Sequence, residues 1–211
     1  MKELLLCPDC ETPIQCRVKL AGVERTVPCL CSCQQRKRQN ERDQLREYQK
    51  QLDVRRLKTE GLQDRLLREC SFEKAKPTPY LERAQRYVCN WKEVQEKNHG
   101  FLFWGAVGTG KSYLAACIAN ALMEQGVPVL MTSLPKLLNQ MGGMYPQERY
   151  RYLSSLSKYQ LLILDDFGIE RSTEYALEQI FLIVDERYKA KQPLILTTNL
   201  TLKDFQNPPD A

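Results

Sequence analysis

The residues best placed to do chemistry are Gly105-Ala106-Val107-Gly108-Thr109-Gly110-Lys111-Ser112, which satisfy every required position of the eight-residue glycine-rich loop that cradles phosphates. Glycine lets the backbone turn so that successive N–H groups point at one phosphate, and a helix starting at Ser112 aims its positive end at the same charge. Lys111 would reach the β- and γ-phosphates of a nucleotide, and the Ser112 hydroxyl would bind Mg²⁺. A glycine-rich turn can match by chance, but here an apolar strand precedes the loop and an alanine-rich helix follows it.

Fifty-four residues past Lys111, the apolar run Leu161-Leu162-Ile163-Leu164 ends in Asp165-Asp166. A buried strand of this kind delivers carboxylates where open α/β sheets bind ligands. Asp165 would hold Mg²⁺ through water, and Asp166 would polarise the water attacking the γ-phosphate. Asp166 is shorter than the glutamate common in that role, which predicts slow hydrolysis. A further run, Leu194-Ile195-Leu196-Thr197-Thr198, ends in Asn199, a candidate hydrogen-bond partner of the γ-phosphate or of the attacking water. Taken singly, an acidic turn or a post-strand asparagine is ordinary turn chemistry. Both gain weight from the phosphate loop.

The second chemical group is cysteine. Six of the nine cysteines fall in residues 1–33, as Cys7-Pro8-Asp9-Cys10, Cys16 and Cys29-Leu30-Cys31-Ser32-Cys33. Two chelating pairs brought together make a tetrahedral Zn²⁺ site, and a spacer hairpin would do this. In an extended strand Cys29, Cys31 and Cys33 share one face, so any two of them could complete a set begun by Cys7 and Cys10. A redox dithiol, buried thiols and an iron–sulfur cluster are the alternatives. A region this short has little core in which to bury free thiols. The odd cysteine count argues against a disulfide framework.

Elements must position these groups. Arg17–Leu20 and Glu24–Val27 alternate polar and apolar residues across Ala21-Gly22, predicting the hairpin. Residues 34–60 lack Gly and Pro and read as a long polar helix, broken at Gly61 and followed by a short helix over Leu62–Cys70. Beyond Pro77 and Pro79 the texture changes. Buried parallel strands are predicted at Phe101–Trp104, Val129–Thr132, Leu161–Leu164 and Leu194–Thr197. Helices are predicted at Ser112–Glu124, Pro135–Met141, Gln147–Leu156 and Thr173–Lys189, the last capped by Ser172. Strand–helix alternation implies an α/β fold with a parallel sheet and helices on both faces. The expected organisation is a cysteine-rich zinc module at 1–33, a basic helical segment at 34–69 and a nucleotide-binding core at 70–211.

The net charge is +5, and its excess sits in residues 34–69, where eleven basic side chains face seven acidic ones. Such a run suits a nucleic-acid or protein partner, or simply a solvated helix. No apolar stretch approaches the ~18 residues of a membrane span, and the N-terminus lacks a signal-peptide pattern, so a cytoplasmic protein is expected.

Gly105–Ser112, Leu161–Asp166 continuing as Phe167-Gly168-Ile169-Glu170-Arg171, and Thr197-Thr198-Asn199-Leu200 together resemble the DnaC/IstB-type AAA+ ATPases. That family comprises helicase loaders and insertion-sequence transposition helpers. The cysteine cluster before a basic helix is similar to the loader branch of phages and Firmicutes. The resemblance implies that Lys111, Ser112, Asp165, Asp166 and Asn199 are Walker A, Walker B and sensor 1 residues. It also implies ATP and Mg²⁺ as cofactors, a replicative DNA helicase and single-stranded DNA as partners, and ATP-dependent assembly on a helicase ring. In a homo-oligomer Arg149, Arg151 and Arg171 could serve a neighbouring subunit, or they are plain surface charges. Family members continue past sensor 1 into an arginine finger, a last core strand and a sensor 2 arginine. The chain stops at Pro208-Pro209-Asp210-Ala211, so a truncated AAA+ core with weak hydrolysis is expected. A transposition helper and a non-hydrolysing nucleotide-binding adaptor are the competing functions.

Overall fold

The computed structural model describes residues 5–20, 22–168, 174–201 and 204. The Ser172 cap, the Ile169–Arg171 continuation and the Pro208–Ala211 terminus lie outside these residues. The chain forms two compact units, residues 1–52 and 53–211.

In the first unit, β1 (Gln15–Leu20) and β2 (Val23–Pro28) pair antiparallel, with Gln15 opposite Pro28 and Leu20 opposite Val23. Gly22 turns the hairpin at φ 80°, a conformation costly for residues with a Cβ. Residues 5–14 fold back on themselves: Leu6 bridges Pro13, and the Cys7 amide donates to the Thr12 carbonyl at 2.8 Å. Helix α1 (Ser32–Gly61) then runs for thirty residues, as a segment free of Gly and Pro allows. Its Leu45, Tyr48 and Leu52 are exposed. Among the described residues of this unit only Cys7 and Cys31 are buried. An assembly so poor in apolar burial needs another source of cohesion.

The second unit opens with the last turns of α1. Leu57 packs on the core, Lys58 pairs with Glu124 at 2.7 Å, and Gly61 lies so close to the Val129 carbonyl that no side chain would fit. The helix expected over 62–70 contracts to α2 (Arg65–Arg68). Leu62 instead bridges Met131 beside the sheet, and Asp64 caps α2 by accepting from the Leu66 amide at 2.8 Å. Two helices the sequence pattern did not single out follow, α3 (Pro79–Cys89) and α4 (Trp91–Glu96).

Strands β3 (Phe101–Trp104), β4 (Val129–Ser133), β5 (Leu161–Phe167) and β6 (Leu194–Thr198) form one parallel sheet in the order β3-β6-β5-β4. Between them lie α5 (Lys111–Glu124), α6 (Leu134–Gly142), α7 (Pro146–Ser155) and α8 (Glu174–Lys189). Successive strand residues point to opposite faces. Val129, Met131, Leu161, Ile163 and Ile195 therefore enter one core with α3, α4 and α5. Leu130, Leu162, Leu164 and Leu196 enter a second core with α6, α7 and α8. Burial on both faces explains why these strands read as unbroken apolar runs.

Candidate functional site

The strand order brings the C-terminal ends of β3 and β5 to either side of β6. The phosphate loop leaves β3, the two aspartates end β5, and Asn199 ends β6, so one edge of the sheet collects all three. Gly105, Gly108 and Gly110 hold φ of 140°, 80° and 87°, the region that favours glycine, and added Cβ atoms at 108 and 110 would meet nothing within 4 Å. The loop is an open cradle. Helix α5 begins at Lys111 directly behind Gly110, and its first turn carries no acidic residue to offset the positive helix end.

Lys111 Nζ donates to the carbonyls of Gly105 (2.9 Å) and Ala106 (3.0 Å) and to Asn199 Oδ1 (2.8 Å). The ammonium is thereby held over the loop, beside the last strand. Thr109 Oγ1 donates to the Ala106 carbonyl at 2.9 Å and steadies the same turn. Val107, at the loop tip, is exposed. Ser112 is half-buried at the start of α5.

The end of β5 is irregular. Leu164 pairs with Leu196 and Phe167 with Thr198, so Asp165 and Asp166 together face Thr197 alone. This is a β-bulge, which re-aims side chains where pairing ends. Asp166 takes φ 54°, unusual for a residue with a side chain, and its amide donates to Thr197 Oγ1 at 3.0 Å. The Thr197 hydroxyl in turn donates to Asp165 Oδ1 at 2.5 Å. Burial, then the Asp165 charge, push the Asp166 carboxyl above the usual range, while Lys111 pulls it back. Carboxylate and hydroxyl oxygens are hard donors suited to Mg²⁺, so Asp165 and Ser112 fit that ion chemically.

In the first unit the thiols of Cys7, Cys10, Cys31 and Cys33 lie within 4.8 Å of one another. Cys31 and Cys33 sulfurs are 3.1 Å apart and Cys7 and Cys33 sulfurs 3.7 Å. Hydrogen bonds from Thr12 lower the Cys10 thiol to about 6, and sharing protons with Cys31, Cys10 and Cys7 raises Cys33 to about 12. A single extended strand carrying Cys29, Cys31 and Cys33 does not form: β2 stops at Pro28 and α1 starts at Ser32, putting Cys33 in a helical first turn. Cys29 turns instead toward the Pro13 carbonyl, 3.5 Å away, and stands beside Cys16, outside the four-sulfur group.

Two residues escaped the sequence reading. Thr197 preceded the asparagine that drew attention, and Thr12 has no ligand chemistry of its own. Thr12 ties the two knuckles, contacting Cys10 Sγ at 3.1 Å and accepting from the Ser32 amide at 3.0 Å. The only available signal was position, two residues past Cys10 and two before Asn199.

The IstB-like ATP binding protein family matches residues 34–208. The Escherichia coli K12 protein named replicative helicase loader DnaC is 30% identical over 148 residues, covering 66% of this chain and 59% of that protein. The crystal structure of DnaI superposes with a TM-score of 0.59 at 25% identity, covering 68% of this chain and 79% of that one. A structure of the replication initiator DnaA bound to AMPPCP and single-stranded DNA, at 18% identity, a TM-score of 0.58 and coverage of 67% of this chain and 45% of that one, shares the fold. The chain thus covers about 59% of the length of that curated relative.

Proposed function

The chain belongs to the IstB-like ATP-binding family and has its AAA+ P-loop fold, and from that premise we propose that it binds ATP·Mg²⁺ and serves as a helicase loader in DNA replication. The observation that carries the ATP·Mg²⁺ reading is the convergence of Lys111, Asp165, Asp166 and Asn199 at one end of the sheet. The backbone amides from Gly105 to Ser112 receive the phosphates. Lys111 would reach the β- and γ-oxygens, and Asp165 with Ser112 would hold Mg²⁺, which would neutralise phosphate charge. Asn199 would face the γ-phosphate, and Asp166 would orient the attacking water. With an aspartate in that role, turnover is slow.

Four thiols at mutual ligand distance, in a unit whose described residues bury almost no apolar surface, suit a structural Zn²⁺ on Cys7, Cys10, Cys31 and Cys33. The zinc module and the basic start of α1 form the grip on the replicative helicase. For single-stranded DNA the α6–α7 elbow offers exposed Tyr145 and Tyr150 beside Arg151, the stacking and charge such strands use. The family name equally covers transposition helpers, and the cysteine module favours the loader.

The deciding experiment captures the replicative helicase of the source organism on the full chain, with and without a zinc chelator. Capture that chelation abolishes supports the loader reading. No capture by zinc-loaded, ATP-bound protein overturns it.

A further inference from the structure

Thr197 is fully buried at the centre of the sheet, yet its hydroxyl bonds to both residues of the bulge opposite it. The extra residue on β5 leaves the Asp166 amide without a ladder partner, and Thr197 Oγ1 accepts that N–H at 3.0 Å. The single hydroxyl proton then goes to Asp165 Oδ1 at 2.5 Å. One hydroxyl thereby fixes the left-handed turn at Asp166 and the orientation of the Asp165 carboxylate, leaving Oδ2 of Asp165 for a cation. The neighbouring Thr198 has a different task, donating to the Phe167 carbonyl at 2.6 Å and accepting from the Leu200 amide at 3.1 Å. It closes the ladder beyond the bulge without touching either aspartate.

We infer that Thr197 is a positioning residue for the cation: acting through Asp165 and Asp166, it sets how tightly Mg²⁺ joins the bound nucleotide. This rests on the ATP·Mg²⁺ reading above. A hydroxyl that donates to one oxygen of a metal-binding carboxylate fixes where the other points, and loss of such a partner costs roughly 10- to 100-fold in metal affinity. Valine has the shape of threonine and the same strand preference but can neither accept from Asp166 nor donate to Asp165.

The test uses the full chain and a fluorescent ATP analogue, titrated in EDTA and across a Mg²⁺ series, with thermal unfolding followed in parallel. In Thr197→Val the Mg²⁺ concentration for half-maximal tightening rises at least about tenfold, while affinity in EDTA stays within about twofold. Thr197→Ser, which keeps the hydroxyl, restores the wild-type Mg²⁺ response. If the valine variant does not fold, Thr197→Ala gives the same comparison. A wild-type Mg²⁺ response in the hydroxyl-less variant overturns the assignment alone. So does an equal loss of affinity with and without Mg²⁺, which would mark Thr197 as purely structural. A wild-type chain that binds no nucleotide at any Mg²⁺ concentration overturns the ATP reading and this assignment together.

Discussion

Single residues carry opposite amounts of information here. Lys111 is dictated by its neighbours: three glycines at positive φ give it a backbone to fold over, and its ammonium donates to the Gly105 and Ala106 carbonyls of that loop. Lys111→Ala removes a charge-assisted contact, so the fluorescent ATP analogue should bind at least about tenfold more weakly. The thermal midpoint should hardly move, because among the described residues the side chain bonds to its own loop and to Asn199. Asp166→Asn has the complementary signature. It keeps the shape and the backbone N–H hydrogen bond to Thr197 Oγ1, so nucleotide affinity should persist while the proposed release of phosphate falls. Fast turnover untouched by this change would remove Asp166 from the mechanism. Both side chains are legible from the sequence because each stands at the end of a contiguous motif. Thr197 was not, since its role depends on a bulge that only the pairing of β5 with β6 creates.

At the scale of elements, apolar runs and helix periodicity located all four strands of the sheet and most of its helices, because each is buried on a face its own residues define. What failed was local geometry imposed from outside. The helix over Leu62–Cys70 shortened because Leu62 is drawn into a bridge with Met131. The Cys29–Cys33 segment became a turn into α1 rather than a strand. Gly61 shows the same tertiary control, since its hydrogen is all that separates α1 from the Val129 carbonyl. Gly61→Ala should destabilise by about 1–3 kcal/mol, the usual cost of overpacking, seen as a lower urea midpoint. In the α6–α7 elbow, Tyr150→Ala should weaken binding of a single-stranded oligonucleotide by roughly 1–3 kcal/mol if a base stacks there. Its ATP affinity should not change.

For the whole molecule, the two units differ in what holds them. The second has two apolar cores on either face of its sheet, whereas the described part of the first buries only Cys7 and Cys31. Chelation should therefore remove a thermal transition belonging to the hairpin and knuckles and leave that of residues 53–211 in place. Hydrogen exchange resolved along the chain would show it: rapid exchange across β1 and β2 after chelation, with β3 to β6 still protected. A hairpin equally protected without metal would overturn the structural zinc.

The sequence by itself determined the glycine-rich loop, the paired aspartates at the end of β5, the asparagine after the last strand and the presence of a cysteine module. These are contiguous patterns whose chemistry follows from local spacing. Only the tertiary structure decided that β6 lies between β3 and β5, that Lys111 meets Asn199, and that Thr197 holds both aspartates. It also separated Cys29 from the four clustered thiols. Each of these depends on contacts between residues distant along the chain, fixed by strand order and register, which no local pattern encodes.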